Sequence, residues 1–172
     1  MTFPKFERPQ FQVIRADTLP LSSEALLDLM SAVLTKGVPF RFYAKGWSMA
    51  PFIKDGDVIT ISPLKSKPVT VGEVLAFRHP QLEKLVVHRS IAKQGAAVLI
   101  RGDHVENYAD GLVPMDDIIG RVTKIERNKR QIWIGLGPER YMIAWLSRFN
   151  LLIPLYNWLS KFTRCRGRKK NA

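Results

Sequence analysis

Cysteine is nearly absent from this chain: Cys165 stands alone among 172 residues. A single thiol excludes an internal disulfide and a zinc site of the Cys-rich kind. It leaves the redox compartment open. Histidine is scarce as well, with only His79, His88 and His104. Acids are outnumbered, 15 Asp and Glu against 27 Lys and Arg, for a formal net charge of +12. That excess admits two polyanionic partners, nucleic acid and anionic membrane. Its distribution separates them. Residues 161–172 hold Lys161, Arg164, Arg166, Arg168, Lys169 and Lys170 and no acid, directly behind an apolar, aromatic segment. A basic tail in that position favours the membrane surface, and no nucleic-acid partner is expected. No apolar run occurs between Met1 and Asp17, so this stretch reads as neither a signal peptide nor a transmembrane anchor. Internal repeats are missing too. With 46% hydrophobic residues the chain is no disordered tail. Its length suffices for one domain with a proper core.

Residues 1–20 read as an extended lead-in. Residues 22–36 read as a helix, with Ser22 and Ser23 as N-caps, Leu26, Met30, Val33 and Leu34 on one face, and Gly37 as the stop. From Phe40 to about Gly135 short β-rich runs alternate with Gly and Pro. The expected strands are Phe40–Tyr43, Asp57–Ile61, Glu73–Arg78, Leu85–Lys93, Ala97–Arg101, Ile118–Ile125 and Gln131–Ile134. This rhythm predicts a mainly β fold, an all-β barrel or sandwich. Residues 139–163 then crowd aromatics and leucines together, and Pro154 should break or kink a helix there. The segment is nearly long enough to span a bilayer, but Arg148 near its middle would cost about 2.5–3.5 kcal/mol. An interfacial, membrane-associated segment over 139–170 fits better, with packing over the β body as the other reading. The expected units are 1–37 (lead-in and helix), 38–136 (β domain) and 137–172 (apolar segment and basic tail).

One stretch organises the β region: Ala44-Lys45-Gly46-Trp47-Ser48-Met49-Ala50-Pro51-Phe52-Ile53-Lys54-Asp55-Gly56-Asp57-Val58. Gly46 tolerates positive φ and Pro51 ends pairing, so a tight bend is expected between two strands. A serine on such a bend has an exposed hydroxyl near backbone N–H groups, as an acyl-transfer nucleophile requires. Ser48 is equally a common turn residue. His88 lies in a strand pattern, where Val86, His88 and Ser90 share a face. Asp103 follows a strand at Gly102-Asp103, and Asp110-Gly111 is a turn signal. Taken singly, each of these has an ordinary structural reading. Together they offer nucleophile, general base and orienting carboxylate. His79 and His104 fall in turn contexts with no assigned role, and Lys84 and Lys93 read as solvated strand-end residues.

The run Gly46-Trp47-Ser48-Met49-Ala50-Pro51-Phe52-Ile53-Lys54-Asp55-Gly56-Asp57 resembles the nucleophile box of the signal peptidase I family, which shares its fold with LexA-type self-cleaving repressors. Further blocks match in order: Gly72-Glu73-Val74-Leu75-Ala76-Phe77-Arg78, Val87-His88-Arg89, Ile100-Arg101-Gly102-Asp103, Asp110-Gly111 and Ile118-Ile119-Gly120-Arg121-Val122. The resemblance covers about residues 38–125. It implies a β-ribbon or barrel core, to which the residues themselves add an N-terminal helix and a C-terminal apolar helical segment. Most bacterial members place a lysine just before the arginine. His88 in that place resembles the endoplasmic-reticulum and archaeal subtype, a Ser–His pair assisted by an aspartate. The resemblance therefore implies a serine endopeptidase without cofactor that cleaves a leader or signal peptide from a precursor. Ser48 would be its nucleophile, His88 its base, and Asp103 or Asp110 the orienter. Some members help hold the oxyanion with a hydroxyl two residues before the nucleophile. This chain has Gly46 there, so the hole would rely on backbone N–H groups, including that of Ser48. Met49 and Pro51 would shape the turn, and Phe52 and Ile53 are candidates for the substrate pockets. Two other readings remain on the same scaffold: a self-cleaving regulator, which would need a DNA-binding module and an internal cleavage site, and a non-catalytic binding relative.

Overall fold

A computed structural model describes residues 23–65, 67–104 and 110–158. The chain runs from helix α1 (Ser23–Thr35) through strands β1 (Phe40–Tyr43), β2 (Val58–Ser62), β3 (Val74–Arg78), β4 (Leu85–Gln94), β5 (Ala97–Arg101) and β6 (Gly111–Pro114). A 3-10 turn (Met115–Asp117), β7 (Ile118–Arg127), β8 (Arg130–Ile132) and α2 (Arg140–Arg148) follow. A further helical stretch covers residues 152–158. The mainly β expectation holds, and every strand pairing is antiparallel.

One mixed-length sheet runs β1-β2-β7-β3-β4-β5-β6, with β8 added to β7. β7 is its spine. One edge of β7 takes β2, and the other takes β3 along the first half and β8 along the second. The register shifts at Thr60/Ile61, Ala76/Phe77 and Ser90/Ala92. Irregularities of this kind bend a sheet so that it can wrap two cores. β3 shows the outcome: Val74, Leu75, Ala76 and Phe77 are all buried. Val74 and Ala76 pack with Met30 and Leu34 of α1 and with Phe40, Ile59 and Ile125. Leu75 and Phe77 face the opposite way, toward Val98, Ile100, Val113 and Ile118. The period of two in a strand thus serves both sides. Gly120 allows the close crossing of β2 and β7, since a Cβ there would stand 2.7 Å from Ile61 Cγ2 and from the Ser62 carbonyl.

Gly37 stops α1 as expected. At φ +77° its N–H donates to the Leu34 carbonyl, and the Val38 N–H reaches back to Val33. That is the paired closure of a glycine C-cap. The serine caps expected at 22 and 23 lie outside the described side chains. Two expectations need correction. No strand is expected at the Asp110-Gly111 turn signal, yet Gly111–Pro114 pairs along β5 as β6. Pro154 does not break the C-terminal segment. The break comes at Asn150, whose φ is +58°, and Pro154 sits in the first turn of the stretch 152–158, where its missing N–H has no partner to lose. Among the described residues no helix is long and apolar enough to cross a membrane.

Candidate active site

Strand β1 leaves the sheet at Tyr43, and the chain returns to β2 at Val58. The fourteen residues between them form a tied loop. Its base is closed by the Ala44 N–H on the Asp57 carbonyl and the Gly56 N–H on the Ala44 carbonyl. Gly46 takes φ +92°, and its N–H donates to Asp55 Oδ1 at 2.8 Å. Open space surrounds the place where its Cβ would be, so the backbone conformation is what calls for glycine there. Met49 is buried and anchors the bend through its carbonyl, which accepts from the N–H groups of Phe52 and Ile53. The Ala50–Pro51 peptide is cis. Asp57, buried at the end of the loop, accepts from the Lys54 N–H and from Arg127 Nε and NH2. That carboxylate holds the Arg127 guanidinium above its ordinary pKa, chiefly through the hydrogen bonds. The loop is thus fixed at both ends, and it presents Ser48.

His88 meets it from β4. Ser48 Oγ lies 2.8 Å from His88 Nε2, and His88 Nδ1 lies 2.6 Å from Asp110 Oδ2. An ionised carboxylate only accepts, so Nδ1 carries the proton and donates to Asp110. Nε2 is then the free lone pair, facing the serine O–H. The imidazole is nearly buried, and the Phe77 ring packs 6.4 Å from it, centroid to centroid. Forty residues of sequence separate the hydroxyl from the imidazole, and twenty-two separate the imidazole from the carboxylate. Sheet pairing brings them together: Leu75 of β3 lies opposite His88, and the Asp110 N–H donates to the Ile100 carbonyl at the start of β6.

The two candidate aspartates have different partners. Asp103 is engaged by Arg89, the next residue along β4, which points to the opposite face. Arg89 Nε donates to both Asp103 oxygens at 2.8 and 3.1 Å, and NH2 donates to Oδ2 at 2.7 Å. Both side chains are fully buried. NH1 of Arg89 satisfies the carbonyls of Gly72 and Gly135, each at 2.8 Å, and the Phe52 ring covers the guanidinium. Asp103 is therefore the buried counter-ion of a structural arginine, and Asp110 is the carboxylate beside the imidazole. Phe52 serves that cover, whereas Ile53 lines the cleft in front of Ser48.

Two histidines without an assigned role also fall here. The His104 N–H donates to the Ser48 carbonyl at 2.8 Å, while its side chain is exposed. His79 is buried, and its Nδ1 accepts from the N–H groups of Gln81 and Leu82. Its proton is accordingly on Nε2, 3.8 Å from Asp110 Oδ1. One signal for this exists in the sequence: His79 directly follows β3, the strand paired with His88. Neither lysine reaches the serine by a hydrogen bond. Lys84 is exposed at the rim of the cleft, and Lys93 lies farther along β4, opposite Val98.

A cleft of 520 Å³ opens onto Ser48 and His88. Phe42 of β1 and Leu85 and Val87 of β4 wall it, with Leu26 of α1, Met49 and Ile53 completing its apolar surface. Both strands offer backbone to it. Among the described residues β1 pairs only with β2, and β4 pairs with β5 only from Arg89 onward. One edge of β1 and one edge of Leu85–His88 are thus left for an extended chain. No curated protein matches the sequence. A family model does, that of the Peptidase S24-like proteins, and its match over residues 12–123 includes the serine loop, His88 and both aspartates. With more than half of its length matched and the mainly β core in place, the chain belongs to the Peptidase S24-like family.

Proposed function

We propose that this protein is a serine endopeptidase that removes a leader or signal segment from a precursor polypeptide, with Ser48 as nucleophile, His88 as general base and Asp110 as the group that orients it. The observation that carries the reading is the unbroken line Ser48 Oγ, His88 Nε2, His88 Nδ1, Asp110 Oδ2, with contacts of 2.8 and 2.6 Å. An extended substrate would add to the free edges of β1 and β4 by main-chain hydrogen bonds. Its side chains before the scissile bond would enter the apolar cleft. Ser48 Oγ attacks the carbonyl carbon as its proton passes to His88 Nε2, and Asp110 stabilises the imidazolium. Backbone N–H groups of the loop, that of Ser48 among them, receive the oxyanion. The C–N bond breaks, and the proton on Nε2 leaves with the departing amine. Water, deprotonated by the same imidazole, then hydrolyses the acyl-enzyme and regenerates Ser48.

The resemblance of the Val87-His88-Arg89 run to the Ser–His signal peptidases supports an external substrate. The test incubates purified protein alone and with a leader-bearing precursor. Wild type should cleave the precursor, and Ser48→Ala and His88→Ala should each leave it intact. Cleavage of the chain itself, with the precursor untouched, would favour the self-cleaving regulator. Full activity of His88→Ala would remove the imidazole from the mechanism.

A further inference from the structure

Helix α2 is built inside out. Residues three and four apart share a helix face. Ile143, Ala144 and Ser147 face the body, where the Ser147 carbonyl accepts from Arg101 NH1 at 2.9 Å. Tyr141, Met142, Trp145 and Phe149 share the opposite face and are exposed; Trp145 is 56% accessible. A helix lying on a globular core normally shows the reverse pattern. The same apolar character continues to either side. Trp133 and Ile134 are 72% and 65% accessible, and residues 152–158 add exposed Tyr156 and Trp158. The Trp133–Gly135 turn is held at the start of α2, because Glu139 Oε1 accepts from the N–H groups of Gly135 and Gly137. Tryptophan and tyrosine are the side chains enriched where hydrocarbon meets headgroups.

Charge decides what covers this face. Residues 127–172 contain eleven Lys and Arg and a single acid, Glu139, so they carry +10 of the chain's +12. Two copies meeting through this face would bring like charges together, whereas an anionic lipid surface supplies the opposite charge over a wide area. We infer that the protein docks on an anionic bilayer through the outward face of α2 and residues 152–158, with Trp133 and Ile134 at the same surface. The docked face adjoins the catalytic loop. A Cβ on Gly135 would stand 3.0 Å from Phe52 Cβ, and the Gly135 carbonyl accepts from Arg89, the neighbour of His88.

The test is co-sedimentation of the full chain with phosphatidylcholine vesicles, with and without phosphatidylglycerol, alongside Trp145→Glu/Phe149→Glu. Both positions are exposed, and an unchanged melting temperature checks that the variant folds. Wild type should sediment with phosphatidylglycerol-containing vesicles and be released by salt, and the double variant should bind at least about tenfold more weakly. Ser48→Ala should bind like wild type, so this result is separable from the protease assay. Wild type remaining in the supernatant with both vesicles would overturn the inference. So would a double variant that binds like wild type. A wild-type dimer made monomeric by the double substitution, without vesicle binding, would assign the face to a second copy and overturn it as well.

Discussion

Exchanging each aspartate for asparagine separates architecture from chemistry. Asp103 and Arg89 are both at 0% side-chain exposure and share three hydrogen bonds. Asp103→Asn keeps the shape but removes the charge, leaving a guanidinium buried without a counter-ion. Breaking one side of such a pair costs about 3–5 kcal/mol. The amide oxygen of Asn still accepts one bond, which places this case toward the lower end. Total stabilities of domains are about 5–15 kcal/mol, so the loss is large. At about 2–4 °C per kcal/mol for a chain of this size, the melting temperature should fall by about 6–15 °C. Asp110 lies at the cleft and remains partly accessible. Asp110→Asn should leave the melting temperature within about 3 °C of wild type. Its turnover should fall by about 10⁴-fold, because the amide no longer fixes the proton on His88 Nδ1. Circular dichroism melts and precursor cleavage, measured on both variants, supply the four numbers. A D103N protein that melts like wild type yet is inactive would refute the reasoning. So would a D110N protein with full turnover.

His79 Nε2 stands 3.8 Å from Asp110 Oδ1, beyond hydrogen-bond reach, so its effect on that carboxylate is electrostatic and steric. His79→Ala should lower kcat by no more than about tenfold with KM unchanged; a loss as large as that of Asp110→Asn would contradict this. Glu126 joins Lys124 of its own strand to Arg41 on β1, and its carboxyl is held below its ordinary pKa, by the Lys124 hydrogen bond first and by Arg41 after burial has opposed it. A depressed folded pKa stabilises above the unfolded carboxyl value and is lost as pH falls through the folded one. Glu126→Gln should therefore cost about 1 kcal/mol in urea melts at pH 7, and the gap to wild type should close in acid below about pH 4. A gap that persists at about pH 2 would show that the loss is not one of charge.

Much of the site is legible in the sequence. Gly46 and the serine loop declared a bend, and the alternation around His88 declared a strand face. Asp103 and Asp110 could not be told apart, because each sits beside a turn signal near a strand end. Only the register settles their placement: Arg89 pairs with Arg101 across β4 and β5, which brings Asp103 within reach of the buried guanidinium. β6 was missed because its four residues lie between Gly111 and Pro114, and local turn chemistry outweighs pairing when a strand is so short. Residues 139–158 announced their apolar content but not their orientation. Composition cannot say which side of α2 faces inward; that depends on Ile143, Ala144 and Ser147 fitting against the body.

Adjacent residues of β4 divide two duties, His88 toward the hydroxyl and Arg89 toward Asp103. Strand parity is what keeps them apart. Deleting Val86 would slide Arg89 into the place of His88 and Ser90 into the place of Arg89, putting a guanidinium at the serine and leaving the buried carboxylate without its counter-ion, silencing the site and unseating the core in one event. A change of length in the turn between β3 and β4 leaves that parity intact, and its cost falls instead on His79, whose Nδ1 is held by the N–H groups of Gln81 and Leu82.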